Sequence, residues 1–159
     1  MTISGLNAWI GTRYGACNSI LILLESTYGS VSQHSDVMAW INGAKDATFE
    51  KLYRGCASAS EGRLAWIDGV ACMNLVPDAV GESNGSKVTA AQLRSGAATL
   101  RERLDHIKPR VVWIASANAM PYALPVVETY GVRIVKTIHP SRAPYVALLA
   151  AWAEATRVC

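Results

Sequence analysis

The 159-residue chain has little of several things at once. Phenylalanine occurs once, and charged residues make up 17%, against about a quarter in an average soluble domain. No apolar run approaches the ~18 residues of a transmembrane helix, so no membrane association is expected. The opening, MTISGLNAWIGTRYG, has neither a basic start nor a long apolar stretch. A signal peptide is therefore not expected, and the cytoplasm is the expected compartment. The four cysteines (Cys17, Cys56, Cys72, Cys159) are widely spaced and form no C-x-x-C, which excludes a zinc knuckle and a thioredoxin-type pair. Reduced structural thiols and no metal are expected. The glycosylation sequon Asn84-Gly85-Ser86 carries no meaning without secretion. An excess of charge of one sign is also missing. Fifteen Lys plus Arg stand against twelve Asp plus Glu, a net +3, which permits a polyanionic partner without demanding one.

Apolar side chains make up 51% of the chain, too much for disorder. The length suits one domain, 1–159, which at this size buries about two-thirds of its unfolded surface. Four short apolar runs read as buried strands: 19–24 (SILILL), 70–76 (VACMNLV), 111–115 (VVWIA) and 132–138 (VRIVKTI). They are continuous rather than alternating, as in strands covered on both faces. Leu93, Ala97, Leu100, Leu104 and Ile107 form one stripe of a helix over 89–107, with Arg94, Arg101 and Arg103 off the stripe and expected in solvent. Pro109 stops that helix. Further helices are expected over 36–41 and 46–57, over 117–129 with Gly131 as its stop, and over 144–156. Alternating strands and helices imply a parallel sheet between helical layers, with ligands at the carboxyl ends of the strands.

The residues just after each strand are therefore the ones to weigh. Glu25-Ser26-Thr27-Tyr28-Gly29 places an acid, a hydroxyl and an aromatic in one loop. It matches neither G-x-x-x-x-G-K-[ST] nor G-x-G-x-x-G, and a plain polar turn fits it equally well. Asn74 interrupts an apolar strand. A buried carboxamide left unbonded costs about 1–3 kcal/mol, so it either joins an internal network or reads a ligand, for instance the edge of a nucleobase. His139-Pro140-Ser141-Arg142 follows the last strand. A lone histidine is more often a satisfied structural donor, yet an imidazole there can hydrogen-bond a developing oxyanion. Ser141 and the following amides can hold a phosphate. Gly81-Glu82-Ser83-Asn84-Gly85 spells G-x-S-x-G, but Pro77 and Asp78 part it from the strand, unlike a nucleophile elbow.

Taken in order, these pieces resemble the uracil-DNA glycosylase superfamily. ILILLESTYG looks like that superfamily's first motif, a strand followed by G-Q-D-P-Y-H, G-E-A-P-G or G-[IV]-N-P-G. VACMNLVP resembles the strand that carries a base-reading Asn. KPRVVWIASANAMPYALP is similar to K-P-x-V-V-x-x-x-G-x-x-A, and IHPSR to the closing H-P-S motif. The resemblance spans about 19–152 and implies a three-layer α/β/α sandwich around a four-stranded parallel sheet. It implies a monomeric, monofunctional glycosylase with DNA as partner and no cofactor. Such an enzyme excises uracil or a modified pyrimidine and leaves an abasic site, in DNA repair or in defence against phage with modified bases.

Residue by residue, the resemblance assigns His139 to the charge on the departing base and Asn74 to its edge. Tyr28 is assigned to the base near C5 and Ser141 to a phosphate. Trp40 lies one position from the expected stacking aromatic. The family's water-positioning Asp falls at Ser26, so Glu25, matching the acid of G-E-A-P-G, is preferred for orienting water, with Ser26 assisting. Leu24 and Thr27 replace the usual Gly and Pro. Branches with that Glu often carry an iron–sulfur cluster on four cysteines; the missing C-x-x-C leads us to expect none here. No leucine wedge follows His139-Pro140-Ser141, which leaves Arg142 or Tyr145 to fill a vacated stack. A DNA footprint is expected near Arg142, Arg13 and Lys87. Two rivals remain open: a DNA- or abasic-site-binding module of the same fold, and an unrelated Rossmann-like small-molecule enzyme.

Overall fold

The structure, a computed structural model, describes residues 7–16, 19–26, 33–78, 80 and 87–157. Tyr28, Thr27, Cys17, Cys159 and the segment 81–86, which holds the G-x-S-x-G and the sequon, lie outside the described residues. Five strands and seven helices are seen among the described residues. In chain order they are β1 (Ala8–Ile10), β2 (Ile20–Leu24), α1 (Gln33–Ile41), α2 (Ala47–Cys56), α3 (Arg63–Ile67), β3 (Ala71–Asn74), α4 (Ala90–Ala98), α5 (Leu100–Ile107), β4 (Val111–Ala115), α6 (Met120–Tyr130), β5 (Arg133–Thr137) and α7 (Tyr145–Thr156).

The sheet order is β1-β3-β2-β4-β5. Strands β3, β2, β4 and β5 run parallel, and β1 pairs antiparallel with β3. The expected four-stranded parallel sheet is thus corrected to a five-stranded mixed one. The extra strand is only three residues long, AWI, too short for periodicity to reveal. It is held at Trp9, whose indole N–H donates to the Ile67 carbonyl at 3.0 Å.

Successive strand residues face opposite ways, and the apolar residues divide accordingly. Ile20, Ile22, Leu24, Cys72 and Trp113 join one core with residues of α1, α2, α3 and α7. Leu21, Leu23, Met73, Val112 and Ile114 join the other with residues of α4, α5 and α6. Helices therefore cover both faces, which explains why β2, β3 and β4 read as unbroken apolar runs. Strand β5, at the edge, is only partly buried and exposes Lys136, a charge that discourages pairing with another chain. Cys56 and Cys72 are free and buried among these apolar residues, and burial pushes the Cys56 thiol up to about 12. No helix among the described residues is long and apolar enough to cross a membrane.

The expected single helix over 89–107 is two helices, broken at Thr99. Thr89 opens the first with a reciprocal cap to Gln92. At the break, the Gly96 carbonyl accepts from the Thr99 hydroxyl and from Arg103 Nη2. A Cβ on Gly96 would stand 2.2 Å from the Leu75 carbonyl oxygen, so the helix lies against the exit of β3 at a distance only glycine allows. Arg94 and Arg101 are exposed as expected, but Arg103 is 5% exposed and not solvated. Its guanidinium donates to the carbonyls of Asn74 (2.7 Å), Leu75 (2.8 Å) and Gly96 (2.8 Å). Burial lowers its pKa to about 10, which leaves it a cation at neutral pH. A buried arginine that neutralises three carbonyl dipoles at a strand's carboxyl end is a fixed post beneath whatever that end presents.

Candidate functional site

The carboxyl ends of β2, β3 and β4 and the segment after β5 open into one cleft of about 1270 Å³. Glu25, Ser26, Asn74, His139, Ser141 and Arg142 all line it. The topology explains the gathering, since parallel strands deliver their last residues to one edge of the sheet.

Glu25 follows β2 and is half-buried. The Ser116 hydroxyl, at the end of β4, donates to Glu25 Oε2 at 2.9 Å and itself accepts the Ala119 amide at 3.2 Å. Backbone bonds from the Leu75 and Val76 amides to the Leu24 and Glu25 carbonyls extend the β2–β3 pairing to this point, so the carboxylate stands on a fixed base. Ser26, half-buried, is the next cleft residue.

Asn74 ends β3 at 1% exposure. Its Nδ2 donates to Gln33 Oε1 at 2.5 Å, and its carbonyl is held by Arg103.

His139 sits in a turn closed by the Arg142 and Ala143 amides, which donate to its carbonyl at 2.9 and 3.0 Å. Ser141 Oγ is 2.8 Å from His139 Nδ1, and the Ser141 amide donates to the same nitrogen at 3.4 Å. A ring nitrogen that accepts an amide N–H carries no proton, so the neutral ring keeps its proton on Nε2. Burial holds the imidazole below its ordinary pKa. The negative charges of Glu25 and Asp46 oppose this, and Arg142 reinforces it. At neutral pH His139 is therefore an uncharged Nε2–H donor. Ser141, expected as a phosphate contact, here orients the ring, while Arg142 is exposed on the cleft.

Trp40 is placed differently from the expectation. It is 0% exposed, is not among the cleft-lining residues, and donates its indole N–H to Glu50 Oε2 at 3.2 Å beneath the Arg63 guanidinium. Gln33, Val37 and Trp40 are the buried stripe of α1, so the 33-37-40 spacing makes Trp40 a core residue. Two aromatics line the cleft, Tyr122 and Phe49, and Phe49, the chain's only phenylalanine, stands 5.7 Å from Trp40 ring to ring. It is carried by α2, whose N-cap Asp46 accepts the Thr48 and Phe49 amides at 2.8 and 2.9 Å. The sequence signal was Asp46 at the head of an amphipathic stretch.

No protein-family model matches the chain, and no curated protein matches it.

The cleft also holds Lys87, expected near a DNA footprint, and groups that no sequence motif marks: Gln33, Asp36, Lys45 and Asp46. Burial, and then the charge of Asp46, raises the Asp36 carboxyl to about 6. A carboxyl whose folded pKa lies above its unfolded value of about 3.9 binds its proton more tightly in the folded state. Its favourable contribution is complete below about pH 4 and is lost as pH rises through about 6. Asp36→Asn is therefore expected to raise the thermal midpoint at pH 7.5, with the gain shrinking as pH falls from 6 to 4. Melting curves of both proteins across that range test it; a gap independent of pH contradicts it.

Proposed function

We propose that the chain is a monofunctional DNA glycosylase of the uracil-DNA glycosylase type, a three-layer α/β/α sandwich that excises uracil or a modified pyrimidine. The observation that carries this reading is the pairing of two groups in one cleft: a neutral His139 fixed as an Nε2–H donor by Ser141, and an Asn74 amide at the cleft floor. A flipped-out nucleotide, at an unstacking cost of a few kcal/mol, brings its base to these groups. Phe49 offers a flat apolar wall, and Asn74 takes the base edge. The C–N bond breaks with oxocarbenium character at the sugar. His139 donates to the base O2 as charge develops there, and Glu25, held by Ser116, orients water toward the cationic sugar carbon, with Ser26 beside it. The only lysine in the four motifs, Lys108, is not among the cleft-lining residues, so no lyase step follows and the product is an intact abasic site. Lys45, Lys87 and Arg142 line the cleft and suit flanking phosphates. Repair and defence against phage with modified bases are the two roles this chemistry serves.

The test is incubation with DNAs carrying uracil, 5-methylcytosine, hydroxymethylcytosine or glucosylated cytosine, with the released base identified by mass. A free base and an alkali-labile strand are expected for at least one of them. A labelled duplex that shifts but stays alkali-stable, with no base released, would make the protein a binder.

A further inference from the structure

The buried stripe of α1 contains a residue out of keeping with its place. Gln33 is 1% exposed at the head of a series continued by Val37 and Trp40, where an aliphatic side chain would pack without a polar group to satisfy. Its Oε1 accepts from Asn74 Nδ2 at 2.5 Å, and both side chains line the cleft. The position of Gln33 is itself secured. Its backbone N–H donates to Asn7 Oδ1 at 2.8 Å, and Asn7 Nδ2 donates to the Pro77 carbonyl, three residues beyond Asn74. The head of α1 is thereby tied to the loop that Asn74 begins. With its carbonyl on Arg103 and its amide nitrogen on Gln33, Asn74 is held at both ends.

We propose that Gln33 is a positioning residue that sets which way the Asn74 amide faces, and that it thereby selects pyrimidines of the uracil class over those of the cytosine class. The inference rests on the glycosylase reading and deepens it. An asparagine amide is an acceptor at one end and a donor at the other, and a free amide turns to suit either kind of edge. With one Nδ2 proton on Gln33 the amide is oriented: Oδ1 is the acceptor offered to a ligand, and the second Nδ2 proton stays a donor beside it. Uracil and its 5-substituted derivatives present a ring N3–H, which Oδ1 accepts. Cytosine and its derivatives present an unprotonated N3, which sets two acceptors face to face. Rotating the amide to suit cytosine would set Oδ1 against Gln33 Oε1, so the buried Gln33 amide would have to turn with it. A two-point amide contact discriminates by about tenfold to about a hundredfold.

The test measures binding apart from cleavage. Duplexes carry a single 2′-fluorinated deoxyuridine or deoxycytidine, in which the fluorine opposes positive charge at the sugar and slows release of the base. The intact protein is expected to bind the deoxyuridine duplex at least about tenfold more tightly than the deoxycytidine duplex. Gln33→Glu, which keeps an oxygen for Asn74, is expected to retain that ratio. Gln33→Met, of similar length but without that oxygen, is expected to bring the two affinities together. A role confined to stability would weaken both duplexes equally and leave the ratio alone. An unchanged ratio in Gln33→Met overturns the inference, as does an intact protein that binds the two duplexes equally; the second result stands even if the methionine variant fails to fold. Neither result touches the glycosylase reading, which is judged separately by whether any DNA releases a base.

Discussion

Replacing His139 by alanine is expected to lower base release at least about a hundredfold on whichever DNA the protein cleaves best. The size follows from the charge that must go somewhere when the glycosidic bond breaks: the departing pyrimidine takes up the electron pair, and its O2 becomes strongly basic. One preorganised donor aimed at such an oxyanion is worth about a hundredfold to a thousandfold in rate. His139 meets the requirement because its proton is already on Nε2 and the ring is already neutral, so no reorganisation is needed as charge develops. The effect belongs in kcat rather than KM, because the ground-state base carries no full charge for the imidazole to stabilise. Ser141→Ala is the companion measurement. Without the hydroxyl, only the longer amide contact at 3.4 Å restrains Nδ1, the other tautomer becomes accessible, and turnover falls by less than in His139→Ala. Unchanged single-turnover rates in His139→Ala would overturn the mechanism.

The pH behaviour of the cleft adds a constraint of opposite signs. His139, with a folded pKa below its ordinary value, contributes stability that is present above about pH 6.5 and lost as pH falls. Asp36 contributes stability that is present at low pH and lost as pH rises through about 6. Both arise first from burial in one cleft, one on a base and the other on an acid. The folded cleft thus favours the uncharged form of each group.

The buried strands could be read from the chain because their signal is local. Three runs of apolar residues, 19–24, 70–76 and 111–115, have no stable place except between two helical layers, and the structure puts β2, β3 and β4 there, whereas 132–138 supplies the partly buried edge strand β5. Their carboxyl ends then bring Glu25, Asn74 and His139 together by topology alone. The rest depended on contacts between residues distant in sequence. Strand β1 exists through its pairing with β3, some sixty positions on. Trp40 was drawn toward the site by its spacing from the first motif, whereas the stripe at 33, 37 and 40 already assigned it to the core. Phe49 reaches the cleft because Asp46 starts α2 at that point. Gln33 offered no sign of its partner, since nothing near it in the chain identifies Asn74. Arg103 did leave a trace: 96, 100, 103 and 107 follow the same helical spacing as the apolar stripe, so the arginine lay on a buried face all along.

That arginine carries the second large expectation. Arg103→Met is expected to lower the thermal midpoint by about 10 °C and to reduce base release as well. Three buried carbonyls, those of Asn74, Leu75 and Gly96, lose a charged donor together. A buried acceptor left unsatisfied costs about 1–3 kcal/mol; the Gly96 carbonyl keeps the Thr99 hydroxyl, so the Asn74 and Leu75 carbonyls set a lower bound of about 2 kcal/mol. In a domain of this length each kcal/mol moves the midpoint by about 2–4 °C. Two effects work the other way: methionine removes a cation whose burial is unfavourable, and it removes Nε, which has no hydrogen-bond partner. They offset part of the loss but cannot supply donors to carbonyls sealed between α4, α5 and the end of β3, where Gly96 already leaves no room for a Cβ. Arg103→Lys is expected to fall between the two, because one ammonium on a flexible stem keeps the charge without spanning three acceptors. The loss of activity should exceed what the lowered midpoint explains, since Asn74 is the residue whose carbonyl is released. Measuring turnover well below the midpoint of each variant separates the two effects. A midpoint within about 2 °C of the parent would show that the post beneath β3 bears no weight.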